Sequence, residues 1–372
     1  MDLFVQNNIL GNAIMQKSNT DYTLLTFYKF VDIKNPKELV EDHKQFCQDI
    51  GMKGRVYIGE EGINATVSGN TGQIKAYRLY LDSIPHFQNI EDIDNKACKV
   101  EGHQFKKMRV RYRKEIVALG EKYSAGEIKN AKQKISVDDF KKVLDEERDD
   151  YVIIDMRNNY EYELGHFKNA IPSGTVHFRD LDKVMLHYRE KFSDKKIIMY
   201  CTGGIRCEKA SVLLEKAGLP DVYQLDGGVV KYVNKYKNNN WLGNLYTFDK
   251  RVSCSIGEHK VISKCHYTGE PAEDFHNCRY GPCNSQFIAK PEEFEKHMGF
   301  CSEECANKAM DDLMIKDDDF DPLNYKELRS RIKRDKAQRR RIQNIIETHL
   351  KEKLKGVHFS RKTPKQEKLI FF

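Results

Sequence analysis

Residues 196–217 combine three signals that few folds accommodate together. Lys196-Ile197-Ile198-Met199-Tyr200 reads as a short buried strand, Cys201-Thr202-Gly203-Gly204-Ile205-Arg206 as a glycine-bearing loop, and Ala210–Ala217 as an apolar-periodic helix. Strand, tight loop and helix in direct succession point to a parallel α/β sheet, where functional groups collect at the C-terminal strand ends. Cys201 sits at such an end. Successive N–H groups of a glycine-rich loop turn toward a sulfur placed there, and the positive end of the next helix lies beneath it. Both favour the thiolate, which is the nucleophilic form. Cys201 is therefore the candidate catalytic residue, with Thr202, Gly203, Gly204, Ile205 and Arg206 as its loop. Arg206 closes the loop and is placed to hold the charge of Cys201 or to orient a substrate phosphate. Cys207, at the helix start, is expected to be buried rather than to act as a resolving thiol.

With 372 residues the chain has room for two or three domains. No apolar run approaches the ~20 residues of a membrane span, so no membrane partner is expected. Met1–Asn8 has no basic region followed by an apolar stretch, so no secretory signal is expected. Ten cysteines in such a chain read as thiols or metal ligands, and the expected compartment is the cytoplasm. The net charge of +7 is uneven: residues 326–372 hold 16 Lys and Arg against 5 Asp and Glu. That asymmetry suits a phosphate-rich partner.

The N-terminal part alternates strand, helix, strand, strand, helix, strand. Leu24–Phe30, Gly54–Ile58 and Ile63–Gly69 read as strands, and Asn35-Pro36 and Thr71 open helices. The segment Met108–Leu119 is expected to supply the last strand. This is a βαββαβ ferredoxin-like module. Its basic strand residues Arg109, Arg111 and Arg113 are candidates for lining an RNA path, although an exposed strand face explains them equally well. Ser136 is a candidate N-cap for a helix opening the next domain.

Two long motifs carry a resemblance. Around the Cys201 loop lie Tyr151–Asp155, Met156-Arg157, Tyr160-Glu161-Tyr162, Gly165-His166-Phe167, Ala170-Ile171-Pro172 and a closing Val222–Gly228. This pattern resembles a rhodanese-like domain. The wording Cys201–Ala210, together with Gly59–Gly69 in the N-terminal module, is similar to the bacterial tRNA wobble-uridine hydroxylases. The six-position loop resembles the sulfur-handling branch of the fold and excludes the phosphatase branch, whose loop is one residue longer. Tyr200 precedes the cysteine, where a phosphatase has His.

The resemblance implies a fold class of α/β type with these parts: a lead-in over 1–20, a ferredoxin-like or acylphosphatase-like module over 21–122 and a rhodanese-like catalytic domain over 132–240. A Cys-rich segment over 254–310 follows, then an acidic linker and basic helical tail over 311–372. It also implies oxygen-dependent 5-hydroxylation of the wobble uridine, with molecular oxygen as co-substrate and the tRNA anticodon arm as partner. No DNA partner is expected, and no organic cofactor is identified, since no dinucleotide fingerprint is found. The alternative is a sulfurtransferase passing persulfide sulfur from Cys201 to an acceptor. Asp155 and Arg157 are expected to support the sheet end. In the tail, Arg334, Arg339, Arg340 and Arg341 are candidates for phosphate contacts, against an amphipathic helix packed on its own domain.

Cys265, Cys278, Cys283, Cys301 and Cys305 form the candidate metal set, expected to hold a structural zinc if any. Their spacing departs from the tight C-x2-C knuckle: Cys265 is followed by Thr268 where a second cysteine would stand.

Overall fold

The computed structural model describes residues 22–312, save 91, 92, 94, 95, 132, 176, 220 and 259. The expected lead-in over 1–20 and the tail with Arg334, Arg339, Arg340 and Arg341 lie outside the described residues. The chain divides into two compact units at residue 131.

In the first unit β1 (Tyr22–Phe30), α1 (Pro36–Asp49), β2 (Lys53–Gly59), β3 (Gly62–Asn70), α2 (Thr71–Ser83), β4 (Ala97–Val100) and β5 (Met108–Tyr112) follow in chain order. The sheet order is β4-β1-β3-β2-β5. The first four of these pair antiparallel, and β5 joins β2 in parallel with Arg109 opposite Arg55. The expected βαββαβ module is present, but its closing strand is β4. Met108–Leu119 supplies instead an added edge strand that stops at Tyr112. With four residues β4 is too short to show a period in the sequence. Beyond β5 the Ile116 N–H donates to the Glu61 carboxylate at 2.7 Å, and the Tyr112 hydroxyl donates to Glu60 at 2.6 Å. The Glu60-Glu61 turn therefore anchors the chain that leaves the sheet.

Local chemistry sets both helices. Pro36 takes the first turn of α1, where its missing N–H has no intrahelical partner to lose. Asn70 caps α2 by accepting from the Gln73 N–H at 2.9 Å, and the Gln73 side chain accepts from the Asn70 N–H at 2.8 Å. Val40, His43 and Cys47 on α1, and Ile74, Tyr77 and Leu81 on α2, bury against Leu25, Phe27, Val56, Ile63 and Val67. His43 lies 2.8 Å from the Tyr77 hydroxyl, and burial pushes its imidazole down to about 3, so it is a neutral core residue. The short α3 (Ala125–Asn130) ends this unit.

The second unit opens with β6 (Lys134–Ile135) and α4 (Val137–Asp145). Ser136 caps α4, accepting from the Asp139 N–H at 3.1 Å. Then come β7 (Tyr151–Asp155), α5 (Asn159–Leu164), β8 (Gly165–Phe167), β9 (Ala170–Pro172), a 3-10 stretch and α6 (Met185–Phe192). After these, β10 (Lys196–Tyr200), α7 (Ile205–Lys216), β11 (Val222–Leu225) and α8 (Gly228–Tyr236) complete the sheet and its helices. The order β6-β11-β10-β7-β9 is parallel throughout, as a rhodanese-like domain requires. Central β10 is buried from Ile197 to Tyr200, with Tyr200 in register with Asp155. The C-terminal ends of β7 and β10 therefore lie side by side in the middle of the sheet. Below them the Phe167 ring meets Tyr200, Tyr232 and Trp241 edge-on at 4.9, 4.7 and 4.9 Å. Burying each such ring contributes roughly 1.5–3 kcal/mol.

The chain continues through β12 (Trp241–Gly243), paired with β8, and β13 (Leu245–Tyr246), paired with β14 (Ser253–Cys254). It ends with the hairpin of β15 (Phe275–Asn277) and β16 (Gln286–Ile288), then α9 (Pro291–Lys296) and α10 (Glu303–Asp312). This part has its own core, in which Phe287, Phe294, Phe300 and Ala306 pack with Cys265, Cys278, Cys301 and Cys305. Among the described residues no helix is long and apolar enough to cross a membrane.

Candidate active site and cysteine cluster

Cys201 follows β10 directly and is fully buried. Gly204 is the N-cap of α7 in the left-handed region, at φ 100°. That turn aims its N–H at the Cys201 sulfur, 3.1 Å away. The helix begins at Ile205, earlier than its apolar period predicts, so Arg206 and Cys207 lie in its first turn. Burial works against ionisation of Cys201. It is outweighed by a hydrogen bond from the Cys207 thiol, the charge of Arg206 and the backbone N–H groups of Arg206 and Cys207, which bring the thiol down to about 5. At neutral pH Cys201 is a thiolate. Cys207 is itself fully buried, and burial first, then the neighbouring Cys201, push its thiol up.

A second element holds the loop from below. The Val229 and Val230 N–H groups at the start of α8 donate to the Cys201 and Thr202 carbonyls, both at 3.0 Å. Gly228 makes this approach possible. Its φ is +64°, and a Cβ there would lie 2.5 Å from the Cys201 carbonyl oxygen. Any side chain would push the helix off the loop.

Arg206 does not wrap the sulfur with free N–H groups. Its Nη1 and Nη2 donate to Glu161 at 2.6 and 2.9 Å, and Nη2 also reaches the Thr202 hydroxyl at 3.2 Å. Glu161 is fully buried on α5 and also accepts from the Asn158 N–H at 3.1 Å. Burial resists its charge, but Arg206 and then Arg157 hold it below the usual carboxylate range. Three Arg206 N–H groups are thus engaged by Glu161 and Thr202, while its charge stands among the groups that favour the Cys201 thiolate. The role of Glu161 was not legible beyond its place in the family pattern, because its partner lies 45 residues away.

Asp155 and Arg157 form a buried ion pair at the end of β7. Arg157 Nη2 lies 2.6 Å from Asp155 and donates to the Gly165 carbonyl at 2.6 Å. Neither reaches Cys201 by a hydrogen bond; the pair ties β7 to β8. His166 stacks on Tyr162 at 3.9 Å, its Nδ1 2.8 Å from the Tyr162 carbonyl.

Four of the five candidate metal cysteines converge. The sulfurs of Cys278, Cys283, Cys301 and Cys305 all lie within 4.8 Å of one another. Cys265 is not in this group; its sulfur is engaged by Thr268 and nearby backbone N–H groups. The sulfurs of Cys283 and Cys301 are 3.8 Å apart, and those of Cys301 and Cys305 3.6 Å. A tetrahedron of thiolates about 2.3 Å from a zinc ion has edges of about 3.8 Å, so the donor set fits that ion. The nearby histidines are spent elsewhere: His266 faces the Cys301 carbonyl at 2.7 Å and His276 that of Ala289 at 3.1 Å.

In the first unit Arg109 and Arg111 are exposed on alternate positions of β5, and Arg113 follows with its guanidinium 5.3 Å from the Tyr57 ring.

A thiolate loop at the end of a central parallel strand defines a rhodanese-like domain, and the family comparisons agree. Residues 136–235 match the Rhodanese-like domain, residues 22–116 the UPF0176 acylphosphatase like domain, and residues 242–306 the Rhodanase C-terminal family. A Bacillus licheniformis protein named tRNA uridine(34) hydroxylase is 41% identical over 76% of this chain and 88% of its own length. Proteins of the same name from Oceanobacillus iheyensis and Staphylococcus aureus are 39% and 41% identical, over 78% and 77% of this chain and 89% and 90% of theirs. The chain belongs to the tRNA uridine(34) hydroxylase family.

Proposed function

We propose that this protein hydroxylates C5 of the wobble uridine of tRNA in the cytoplasm, with Cys201 as the catalytic thiol and molecular oxygen as co-substrate. The observation that carries the reading is identity near 41% with proteins of that name across nearly their whole length. The low-pKa thiol supports it from the side of chemistry. A thiolate adds to electron-poor carbons, and addition at C6 of uracil leaves C5 electron-rich toward oxygen. A persulfide on the same sulfur would instead supply electrons. One oxygen atom ends on C5 and the other in water, so two electrons come from a donor. The target base must be unstacked to reach a recessed sulfur, which favours the single-stranded anticodon loop. Arg109, Arg111 and Arg113 are the described basic residues proposed to contact its phosphates. We also propose a structural zinc held by Cys278, Cys283, Cys301 and Cys305. A closed thiolate tetrahedron leaves no position for a substrate, so the ion would brace the fold.

The test is expression in a bacterium that lacks wobble-uridine 5-hydroxylation, followed by mass spectrometry of tRNA nucleosides. Wild type should restore 5-hydroxyuridine derivatives. Cys201→Ala should lower them by at least about 10³-fold. No restoration by wild type would remove the reading, and appearance of a thiolated nucleoside would favour sulfur transfer.

A further inference from the structure

Leu79, Leu242 and Phe248 are the large apolar side chains that stand exposed among the described residues. Phe248 is the aromatic one, 44% exposed, and its ring centre lies 5.8 Å from the Arg206 guanidinium of the active-site loop. Its ring meets Tyr246 edge-on at 5.0 Å, and Tyr246 is anchored in turn against Tyr160 and Phe275 at 5.2 and 5.1 Å. The C-terminal segment thus props an aromatic ring beside the loop and leaves it open to solvent. More than half of its surface is packed, against Tyr246 and Arg206, and the remainder faces solvent.

A second observation lies in the loop. A Cβ built at Gly203 meets no atom within 4 Å, and its φ is not in the left-handed region. Gly204 and Gly228 are required by backbone geometry; Gly203 is not. A Cβ at this half-buried position would project into open space. The Cys201 sulfur has no exposed surface, so binding energy for a base must come from groups at the loop mouth. Arg206 is itself buried, pairs with Glu161 and Thr202 and lies over the Phe248 ring, so the solvent-facing side of that ring is the surface left for a base.

We propose that the solvent-facing side of Phe248, whose ring is backed by Arg206, is the stacking platform for the pyrimidine presented to Cys201, and that the space at Gly203 admits that base. Phe248 is a positioning residue and takes no part in bond making. The inference rests on the hydroxylase reading and names how its substrate is held. Base–aromatic stacking is tolerant of base identity and gives a gain of about tenfold or more in affinity.

The test uses the full chain and an anticodon stem–loop RNA with uridine at the wobble position, measuring both Kd and turnover to 5-hydroxyuridine. Phe248→Ala and Phe248→Leu should raise Kd and KM about tenfold, with kcat within about twofold. Phe248→Trp should retain wild-type values. Gly203→Ala, which meets no clash in the protein, should also raise KM. The alkylation rate of Cys201 should be the same in all four, showing an intact loop. Phe248→Leu binding RNA as wild type does, or Gly203→Ala with unchanged KM, would overturn the platform. Wild type that binds RNA through Phe248 but forms no 5-hydroxyuridine would overturn the hydroxylase reading and leave the platform standing.

Discussion

The Cys201 loop and the cluster of Cys278, Cys283, Cys301 and Cys305 surround the same functional group in opposite ways. In the loop a single sulfur faces a Gly204 N–H, a thiol proton and the charge of Arg206. In the cluster four sulfurs face one another within 4.8 Å. The first arrangement stabilises one negative charge with dipoles and a neighbouring cation. The second crowds four thiols together, whose ionisation a divalent cation would offset. What a cysteine does here is decided by its neighbours across the fold.

The comparison breaks most visibly at the metal. The purified full chain should carry about one zinc per molecule by elemental analysis. Removing it with a chelator, or by Cys301→Ser, should open the β15–β16 hairpin and α9 to proteolysis. Structural zinc contributes on the order of 10 kcal/mol in small domains, so the loss should be large. Alkylation of Cys201 should keep its midpoint near pH 5, because the loop depends on no sulfur of the cluster. A ratio well below one zinc per chain would end the contrast and leave the cluster as packed thiols.

A second test concerns what holds the loop. Glu161→Gln leaves the Arg206 charge buried without its counter-ion. Breaking such a pair costs roughly 3–5 kcal/mol, which should appear as a lower urea midpoint for the second unit. A shift worth under about 1 kcal/mol would show that the pair is not a strut of the loop.

Much of this architecture was legible because its signals are local. The apolar run of β10 is continuous, the glycines of the loop are adjacent, and Ser136 and Asp139 cap α4 from three residues apart. What was not legible depends on elements that meet only after folding. Glu161 reaches Arg206 because β7 and β10 lie side by side in parallel. Phe248 reaches the same loop from the turn between β13 and β14, outside every segment the sequence singles out. The cysteine cluster was half legible: the sequence offers five cysteines, but that Cys278, Cys283, Cys301 and Cys305 converge while Cys265 does not shows only after folding. β4 failed for a simpler reason, being four residues long beside a more conspicuous alternation in β5.

The smallest expected effect bears on the loop side of the contrast. If one thiol proton helps hold the Cys201 charge, Cys207→Ala should raise the Cys201 pKa from about 5. The sign follows from the donor: losing a hydrogen bond to the charged form disfavours that form. At pH 6 a smaller fraction is then thiolate, so iodoacetamide alkylation should slow several-fold, while at pH 9 wild type and variant should react alike. Cys207→Ser keeps a donor at the same place and should restore the wild-type profile. A merely structural loss would lower melting temperature without moving the pH midpoint. An unmoved midpoint in Cys207→Ala would assign the low pKa to Arg206 and the backbone N–H groups alone, and would make the two cysteine environments still less alike.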